Sequence, residues 1–255
     1  MIVARKLAMD YGSQSAVISD VDVEIQTGSF VSIVGPSGCG KSTFLRLVAG
    51  LRESSSGQLL ISDRTPQQCN LRRAFVFQDP SLLPWRTVAG NVHLPFELDR
   101  ELANSTTQPA TRVQEAIRLV GLLDADANKR PRQLSGGMRM RVSLARAFVT
   151  DPQIMLLDEP FAALDDILRQ QLNEELQRIW WQRRWTGIFV THNVSEAVFM
   201  SQRVLVMSRR PGRFIADLTV PFEYPRHAEL RADAGFAKLT GEVSRYLRQA
   251  AGVDP

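Results

Sequence analysis

The chain has 255 residues, of which 44% are hydrophobic and 23% are charged, and its formal net charge is +4. This composition is typical of a globular protein and excludes collagenous, disulfide-scaffold and disordered chains. At about 150 residues per domain, the length allows one large domain or a core with a smaller lobe. The longest apolar stretches, such as Ile154–Leu157, are far shorter than the roughly 20 residues that cross a bilayer, so we expect no transmembrane helix.

The N-terminus and the cysteines favour a cytoplasmic setting. The first residues lack a basic region followed by a long apolar run and a cleavage site, so we expect no signal peptide. Cys39 and Cys69 do not have the spacing of paired metal ligands, which fits a reducing compartment. The pI near 9.4 invites a nucleic-acid interpretation. However, a charge of +4 over 255 residues is weak, and basic pairs such as Arg183-Arg184 most simply lie on solvated faces.

The N-terminal part of the chain is rich in short, β-branched runs, which predict strands. The predicted strands are Ile2–Tyr11, Val21–Ile25, Phe30–Val34, Gln58–Ile61 and Ala74–Phe77. Turn residues at Gly12-Ser13 and at Thr27-Gly28-Ser29 separate the first three strands. A helix is predicted over Phe44–Ala49.

A helical segment interrupts the strand pattern. The i, i+3, i+4, i+7 spacing of an amphipathic helix is followed by Val113, Ala116, Ile117 and Val120. The polar stretch Asn104–Gln108, followed by Pro109, is predicted to be a flexible connection into that helix. We therefore expect a helical lobe over residues 85–149, inserted into an α/β core.

After the lobe, strands and helices alternate, which predicts a layered, parallel sheet. Ile154–Leu157 is fully apolar and too short for a helix, as expected of a buried parallel strand. The elements predicted next are a helix over Ile167–Arg184, a strand over Gly187–Val190, a helix over Val194–Met200 and a strand over Val204–Met207. A last helical stripe, expected to pack on the core, consists of Phe236, Leu239, Val243, Tyr246 and Leu247.

A glycine-rich loop follows the predicted strand Phe30–Val34 and opens the next helix. Its residues fit the pattern G-x-x-x-x-G-K-[ST] and are Gly35, Pro36, Ser37, Gly38, Cys39, Gly40, Lys41, Ser42 and Thr43. Glycines let backbone N–H groups turn towards phosphate oxygens, and the helix N-terminus adds a partial positive charge. In this pattern Lys41 pairs with the β- and γ-phosphates, and Ser42 offers its hydroxyl to Mg²⁺.

Two carboxylates follow the buried strand Ile154–Leu157. Asp158 and Glu159 stand at its carboxyl end, where open α/β sheets bind their ligands. Taken alone, a strand that ends in acidic residues is a weak signal. Combined with Lys41 and Ser42, it predicts that Asp158 holds Mg²⁺ and that Glu159 polarises an attacking water.

A second glycine pair stands in Leu134-Ser-Gly-Gly137, just before a predicted helix. Such a turn is typical of another anion-binding site. One chain has no evident use for two phosphate cradles on one γ-phosphate, unless the second serves the nucleotide of a neighbouring chain. A simple nucleotide or metabolite kinase offers no explanation for this motif.

With these motifs, the sequence resembles the ATP-binding subunits of ABC transporters over essentially its whole length. The ordered set is completed by a Q-loop glutamine at Gln78, a D-loop at Ala163-Leu-Asp165 and a switch histidine at His192. The resemblance implies an α/β P-loop NTPase fold with a mixed sheet core and an inserted helical subdomain. The implied units are an ATP-binding core over residues 1–84 and 150–210, a helical signature subdomain over 85–149, and a C-terminal extension over 211–255 that packs on the core.

The resemblance also implies a homodimer that encloses two ATP molecules head to tail. In that arrangement the phosphate loop of one copy faces Ser135, Gly136 and Gly137 of the other. Met138 and Met140 stand where glutamines are common in the family. These differences leave the serine and glycine contacts in place and bear only on the rate of hydrolysis.

Further site residues are implied residue by residue. Tyr11 matches the aromatic residue that stacks on adenine, and Asp165 would shape the site across the dimer interface. Gln78 would couple the core to the helical lobe and reach Mg²⁺ or the attacking water. His192 would contact the γ-phosphate and orient Glu159 and the water.

The segment Phe77–Trp85 looks like the nitrate, sulfonate and taurine uptake branch, although relatives that import pyrimidine or thiamine precursors look similar. It carries an apolar group on a loop, Leu82-Leu-Pro-Trp85, which either packs in the core or docks onto a cytoplasmic helix of a membrane subunit. The implied protein is the ATP-hydrolysing subunit of an importer of a small anionic solute, at the cytoplasmic face of the inner membrane. Its implied partners are integral membrane permease subunits and, indirectly, a periplasmic or extracellular solute-binding protein.

The main alternative is an ATPase of the same fold that acts on nucleic acid or the ribosome, which the net positive charge slightly favours. Translation-type relatives usually carry two cassettes in one chain, and repair-type relatives carry a long coiled-coil insertion. A lobe of about 65 residues leaves no room for such an insertion. We therefore expect no nucleic-acid partner.

Overall fold

The computed structural model describes residues 1–12, 16–104 and 108–252. In these residues the strands are β1 (Ile2–Met9), β2 (Ile18–Ile25), β3 (Phe30–Val34), β4 (Ser56–Ile61), β5 (Arg73–Val76), β6 (Ile154–Asp158), β7 (Thr186–Val190), β8 (Arg203–Met207) and β9 (Phe214–Thr219). The helices are α1 (Lys41–Val48), α2 (Val88–Leu98), α3 (Arg100–Asn104), α4 (Pro109–Leu119), α5 (Gly136–Phe148), α6 (Asp166–Arg183), α7 (Val194–Met200) and α8 (Ala234–Ala251). The predicted break at Gly12-Ser13 and the predicted connection Asn104–Gln108 include residues 13 and 105–107, which lie outside the described residues.

The larger sheet has the strand order β5-β6-β7-β3-β8-β9. Neighbouring strands are parallel from β5 to β8, as the alternation of strands and helices predicts, and β9 pairs antiparallel with β8. The carboxyl ends of β6, β7 and β3 therefore lie side by side at one edge. β9 was not predicted. It lies within the range expected to be a C-terminal extension, and a tight turn closed by the Ser208 N–H bond to the Arg213 carbonyl returns the chain to the sheet.

The smaller sheet is antiparallel, with the order β2-β1-β4. Its strands were predicted with shifted ends, since β1 ends at Met9 and β2 begins at Ile18, where these two residues pair. The two sheets together form the expected mixed α/β core.

Apolar residues cover both faces of the larger sheet, as expected for parallel strands between two layers. Along β3, Val31 and Ile33 pack with α1 and the smaller sheet, whereas Phe30 and Val34 pack with the helices on the other face. β6 alternates in the same way. The larger sheet is thus the middle layer of the molecule, and it holds the carboxyl ends of its strands in fixed positions.

Helices α2 to α5 lie between β5 and β6 in the sequence and pack on one another. α4 covers the predicted amphipathic segment, and its residues Val113, Ala116 and Ile117 are buried. α5 also packs on β5. The helical group therefore contacts the sheet through its edge strand.

The C-terminal part of the chain packs on α7 and β8 through α8, with Phe236 and Val243 buried as predicted. Arg226 is only 4% exposed. Its guanidinium donates to carbonyl oxygens of Val198, Phe199 and Ser201 at the end of α7, where helix carbonyls lack helical partners. Among the described residues, no helix combines the length and apolar character needed to cross a bilayer.

Candidate active site

The glycine-rich loop joins the carboxyl end of β3 to the N-terminus of α1. Gly40 is the N-cap of α1, with φ of 112°, and no side chain in the described part of the chain caps it. A side chain is excluded there, because a Cβ on Gly40 would lie 2.3 Å from Ile18 Cγ2. The first N–H groups of α1 lack helical acceptors, so this end of α1 can bind an anion.

Lys41 lies inside the loop. Its side chain is buried, and its ammonium donates to the carbonyl oxygens of Gly35 at 2.8 Å and Pro36 at 3.0 Å. These contacts hold a positive charge next to the N-terminus of α1. The sequence pattern predicted that Lys41 and the backbone N–H groups at the start of a helix would act together as donors. In the structure Lys41 is the first residue of α1, and its ammonium lies beside Gly35 and Pro36 of the loop.

The turn between β8 and β9 packs against the glycine-rich loop. A Cβ on Gly212 would lie 2.1 Å from the Cys39 carbonyl oxygen, and one on Gly35 would lie 2.7 Å from the Met207 carbonyl oxygen. Cys39 is 1% exposed, and burial raises the pKa of its thiol. The sequence pattern did not indicate the role of Gly212, because the two segments lie far apart in the chain.

Ser42 and Asp158 meet at the end of the loop. The Ser42 hydroxyl donates to Asp158 Oδ1 at 2.8 Å. Burial raises the pKa of Asp158, and the bond from Ser42 acts in the opposite direction. Two neighbouring oxygen donors beside an anion-binding helix end are the kind of ligands that Mg²⁺ uses when it binds together with phosphates.

In residues 1–12, 16–104 and 108–252, no group of three or more His, Cys, Asp or Glu side chains could hold a metal ion. A Mg²⁺ ion that keeps waters and phosphate oxygens needs only one or two protein ligands. The donor set therefore fits Mg²⁺ bound together with a nucleotide.

Glu159 and His192 form the second pair. His192 Nδ1 lies 3.0 Å from Glu159 Oε2, and the Glu159 N–H donates to the Val190 carbonyl oxygen at 3.0 Å. Glu159 has φ of 47°, in the left-handed region that non-glycine residues seldom occupy. Such backbone strain concentrates at functional sites.

An open cleft of about 800 Å³ lies in front of these pairs. Its lining includes Ser42, Gln78, Asp158 and Glu159, so the structure brings four predicted site residues together. Arg46 also lines it and was missed. Its position one turn after Ser42 on α1 was the available signal, because residues i and i+4 share a helix face.

Ser135, Gly136 and Gly137 lie elsewhere, at the N-terminus of α5. Ser135 is the N-cap and accepts from the Met138 N–H at 3.2 Å. Within the described residues, none of the three lines the cleft beside Asp158. Ser135 and Gly136 are exposed, so they are free to face another molecule.

Met138, Met140 and Gly137 pack inwards. Met140 is 2% exposed and Met138 packs against the core. A Cβ on Gly137 would lie 2.5 Å from Leu168 Cδ2. The methionines at these positions therefore contribute to packing of α5.

Tyr11 and Asp165 remain apart from the paired residues. Tyr11 is 43% exposed, with the Arg52 guanidinium 5.9 Å from the centre of its ring. Asp165 is the N-cap of α6 and accepts from the Leu168 N–H at 3.0 Å. Within one chain, the Asp165 side chain thus caps α6.

The segment Leu82–Trp85 divides into packed and exposed residues. Leu82 packs against the core, and the backbone of Leu83 is held by the buried side chain of Asn91. Trp85 is 67% exposed. A groove of about 470 Å³ between β5, α2 and α5 is lined by apolar residues that include Phe77, Leu94 and Leu98, and by the charged residues Arg72, Arg73, Asp99 and Arg146.

A buried strand end with two carboxylates beside a phosphate loop in a three-layer α/β fold defines a P-loop ATPase. The class is narrowed further by the helical insertion between β5 and β6 and by Ser135, Gly136 and Gly137 at the start of its last helix, α5. Residues 18–162 match the family described as ABC transporter. The chain belongs to this family and is an ATP-binding, ATP-hydrolysing cassette.

The comparisons also identify individual relatives. Over 232 residues the chain is 40% identical to the nitrate import ATP-binding protein NrtD of Synechococcus elongatus, which covers 90% of this chain and 84% of the relative. It is 44% identical over 251 residues to the aliphatic sulfonates import ATP-binding protein SsuB 1 of Paraburkholderia xenovorans, covering 98% and 68%. A dimeric post-hydrolysis structure of the cassette MJ0796, bound to ADP and Pi, matches with a TM-score of 0.74 at 27% identity, covering 88% of this chain and all of that one.

Proposed function

We propose that the chain hydrolyses Mg-ATP as a homodimer and thereby drives import of a small anionic solute through separate permease subunits. The observation that carries this proposal is the placement of the Ser42–Asp158 pair beside the Glu159–His192 pair at one edge of the sheet. The Ser42–Asp158 pair suits a metal–phosphate complex, and the Glu159–His192 pair suits activation of water.

Each group of the candidate site has a distinct part in the proposed reaction. Lys41 and the N–H groups of α1 bind the phosphates, while Ser42, Asp158 and Gln78 would hold Mg²⁺. The bound ion would neutralise charge on the phosphate oxygens. Glu159 accepts a proton from the attacking water, and His192 orients Glu159 and contacts the γ-phosphate. Positioning and electrostatics supply most of the catalysis.

The dimer completes the site. Ser135, Gly136 and Gly137 stand away from the cleft of their own chain, so we propose that they bind the nucleotide held by the partner copy. Asp165 would shape the same interface, and Tyr11 would stack on adenine. The dimeric cassette MJ0796, bound to ADP and Pi, supports the dimer itself.

The helical group supplies the proposed contact with the membrane subunits. We assign residues 85–149 to a unit that moves with the nucleotide through Gln78, on a core of residues 1–84 and 150–210, with 211–255 as the supporting C-terminal segment. The groove with Leu98 would receive a cytoplasmic helix of the permease. The chain would then lie at the cytoplasmic face of the inner membrane, and a solute-binding protein outside would act only through the permease.

The solute class comes from the relatives. Those named for nitrate and aliphatic sulfonate import share 40% and 44% identity with this chain. We therefore propose nitrate-like or sulfonate-like anions as solutes. The cassette itself would not touch them.

The test is a pull-down of the tagged Glu159→Gln variant with Mg-ATP from detergent-solubilised membranes of the native cell. We expect a polytopic membrane protein to be recovered. Adding Leu98→Asp should abolish recovery, because Leu98 is 77% exposed in the groove, whereas Leu123→Asp should not, because Leu123 is 70% exposed outside it. Recovery of ribosomes or nucleic acid without a membrane protein would overturn the transport proposal.

A further inference from the structure

Glu196 is a buried carboxylate that does not line the nucleotide cleft. It lies in the first turn of α7 and is 6% exposed. Burial raises its pKa, so this group is costly to keep charged unless it has a structural or functional partner. Its hydrogen-bond partner is the hydroxyl of Thr191, the residue that precedes His192.

The hydrogen bonds around Glu196 differ from those of an ordinary capping box. Asn193 is the N-cap of α7 and accepts from the Glu196 N–H at 3.0 Å. In a capping box, the carboxylate three residues later would accept from the N-cap backbone N–H. Here the Asn193 N–H donates to Thr191 Oγ1 at 3.0 Å, and the Thr191 hydroxyl donates to Glu196 Oε2.

These hydrogen bonds are made by Thr191 and Asn193, the residues immediately before and after His192. The Thr191 N–H also donates to the Ile33 carbonyl oxygen at 3.2 Å, which attaches the loop to β3. The His192 side chain is 57% exposed and is paired with Glu159. The bonds of Thr191 and Asn193 therefore hold the backbone immediately before and after His192.

Glu196 also lies beside α6. The Asn173 side chain and the Arg169 charge, both on α6, are close enough to favour the ionised carboxylate. Among the described residues, the buried Glu196 Oε1 has no hydrogen-bond partner. The charge of Arg231 acts on the same carboxylate from the C-terminal segment. Because α6 begins at the N-cap Asp165, the carboxylate lies between the His192 loop and the helix that follows the D-loop.

We propose that Glu196 is a positioning residue that holds His192 against Glu159 through the Thr191 hydroxyl. The proposal rests on the proposed role of His192 in hydrolysis. The Thr191 hydroxyl is bonded to Glu196 and to the Asn193 N–H, within the His192 loop, and neither Thr191 nor Glu196 lines the cleft among the described residues. We therefore expect them to affect turnover through His192 and to leave nucleotide binding unchanged.

The test compares Thr191→Val, which keeps the shape and removes the hydroxyl, with Thr191→Ser, which keeps the hydroxyl. We expect Thr191→Val to lower kcat about tenfold, because small displacements of catalytic groups are costly, with the Kd for a fluorescent ATP analogue within about twofold of wild type. Thr191→Ser should restore most of the activity. Ser201→Ala is the matched control, because it removes a buried hydroxyl bond at the other end of α7, from Ser201 to Ala197.

A double-mutant cycle separates positioning from general loss of stability. In a His192→Ala background, measured by single-turnover hydrolysis, Thr191→Val should have no further effect. An equal loss in both backgrounds, or full activity of Thr191→Val, would overturn the role of Glu196 and Thr191. Normal turnover of His192→Ala alone would instead overturn the proposed role of His192.

Discussion

His192 Nδ1 and Glu159 Oε2 lie 3.0 Å apart, which joins the ends of two neighbouring parallel strands. β6 supplies the carboxylate and β7 leads into the imidazole. The register of the two strands places them together, since Asp158 pairs with Val190. The contact is therefore a consequence of sheet topology.

Replacing Glu159 with glutamine should keep nucleotide binding and lower turnover by about 10²- to 10⁴-fold, the usual contribution of a general base. The amide has nearly the same shape and cannot accept the proton. Phosphate release and equilibrium nucleotide binding measure the two effects separately. Glu223→Gln, an exposed change far from the cleft, is the control, and normal turnover of Glu159→Gln would remove Glu159 from its proposed role.

Replacing Lys41 with alanine should weaken ATP binding itself. The ammonium is held by the carbonyl groups of Gly35 and Pro36 beside the anion-binding end of α1. Losing a hydrogen bond to a charged group costs about 1.5–3 kcal/mol, so the Kd should rise at least tenfold in a titration calorimetry experiment. Lys238→Ala, on the exposed face of α8, should bind as wild type. Equal affinities for both variants would contradict the assignment of the loop.

Gly212→Ala should displace the phosphate loop, because Gly212 packs directly against it. The added methyl group would meet the Cys39 carbonyl oxygen, a backbone atom that cannot move without moving the loop. Overpacking costs about 1–3 kcal/mol, and we expect weaker nucleotide binding together with a lower free energy of unfolding. Gly241→Ala is the matched control, because in the part of the chain that the structure describes no atom beyond its chain neighbours and its own helix backbone lies within 4 Å of its Cβ position. That change should stabilise α8 by about 0.5–1 kcal/mol.

Asp158→Asn should stabilise the protein at neutral pH when Mg²⁺ and nucleotide are removed by a chelator and gel filtration. Burial raises the pKa of Asp158 above its unfolded value, so the folded protein loses stability as the pH rises through this range. The amide avoids that cost. The gain in Tm should be largest near pH 7 and should shrink as the pH falls, and it should vanish only well below about pH 4, where the carboxyl group is protonated in both states.

Thermal melts across this pH range, with the exposed Asp10→Asn as control, measure the difference. A gain in Tm that grows as the pH falls would contradict the burial of Asp158. Residues kept for function at a cost in stability are common at active sites, and ATP hydrolysis by Asp158→Asn should fall in the same preparation.

The sequence by itself determined the chemical groups of the site and the local structure that carries them. The glycine pattern before Lys41, the two carboxylates after an apolar run and the alternation of strands and helices are all local patterns, set by backbone conformation and periodicity. They sufficed to predict the fold class, and the family match confirms it.

Only the tertiary structure decided which groups touch. Ser42 and Asp158 are 116 residues apart, and the contacts of Gly212 with Cys39 and of β9 with β8 depend equally on strand order. The sequence also gave no reason to connect Glu196 with Thr191, since a glutamate at that position normally caps its own helix. Such pairings depend on non-local packing, which periodicity does not encode, because one local pattern is compatible with many arrangements of its neighbours.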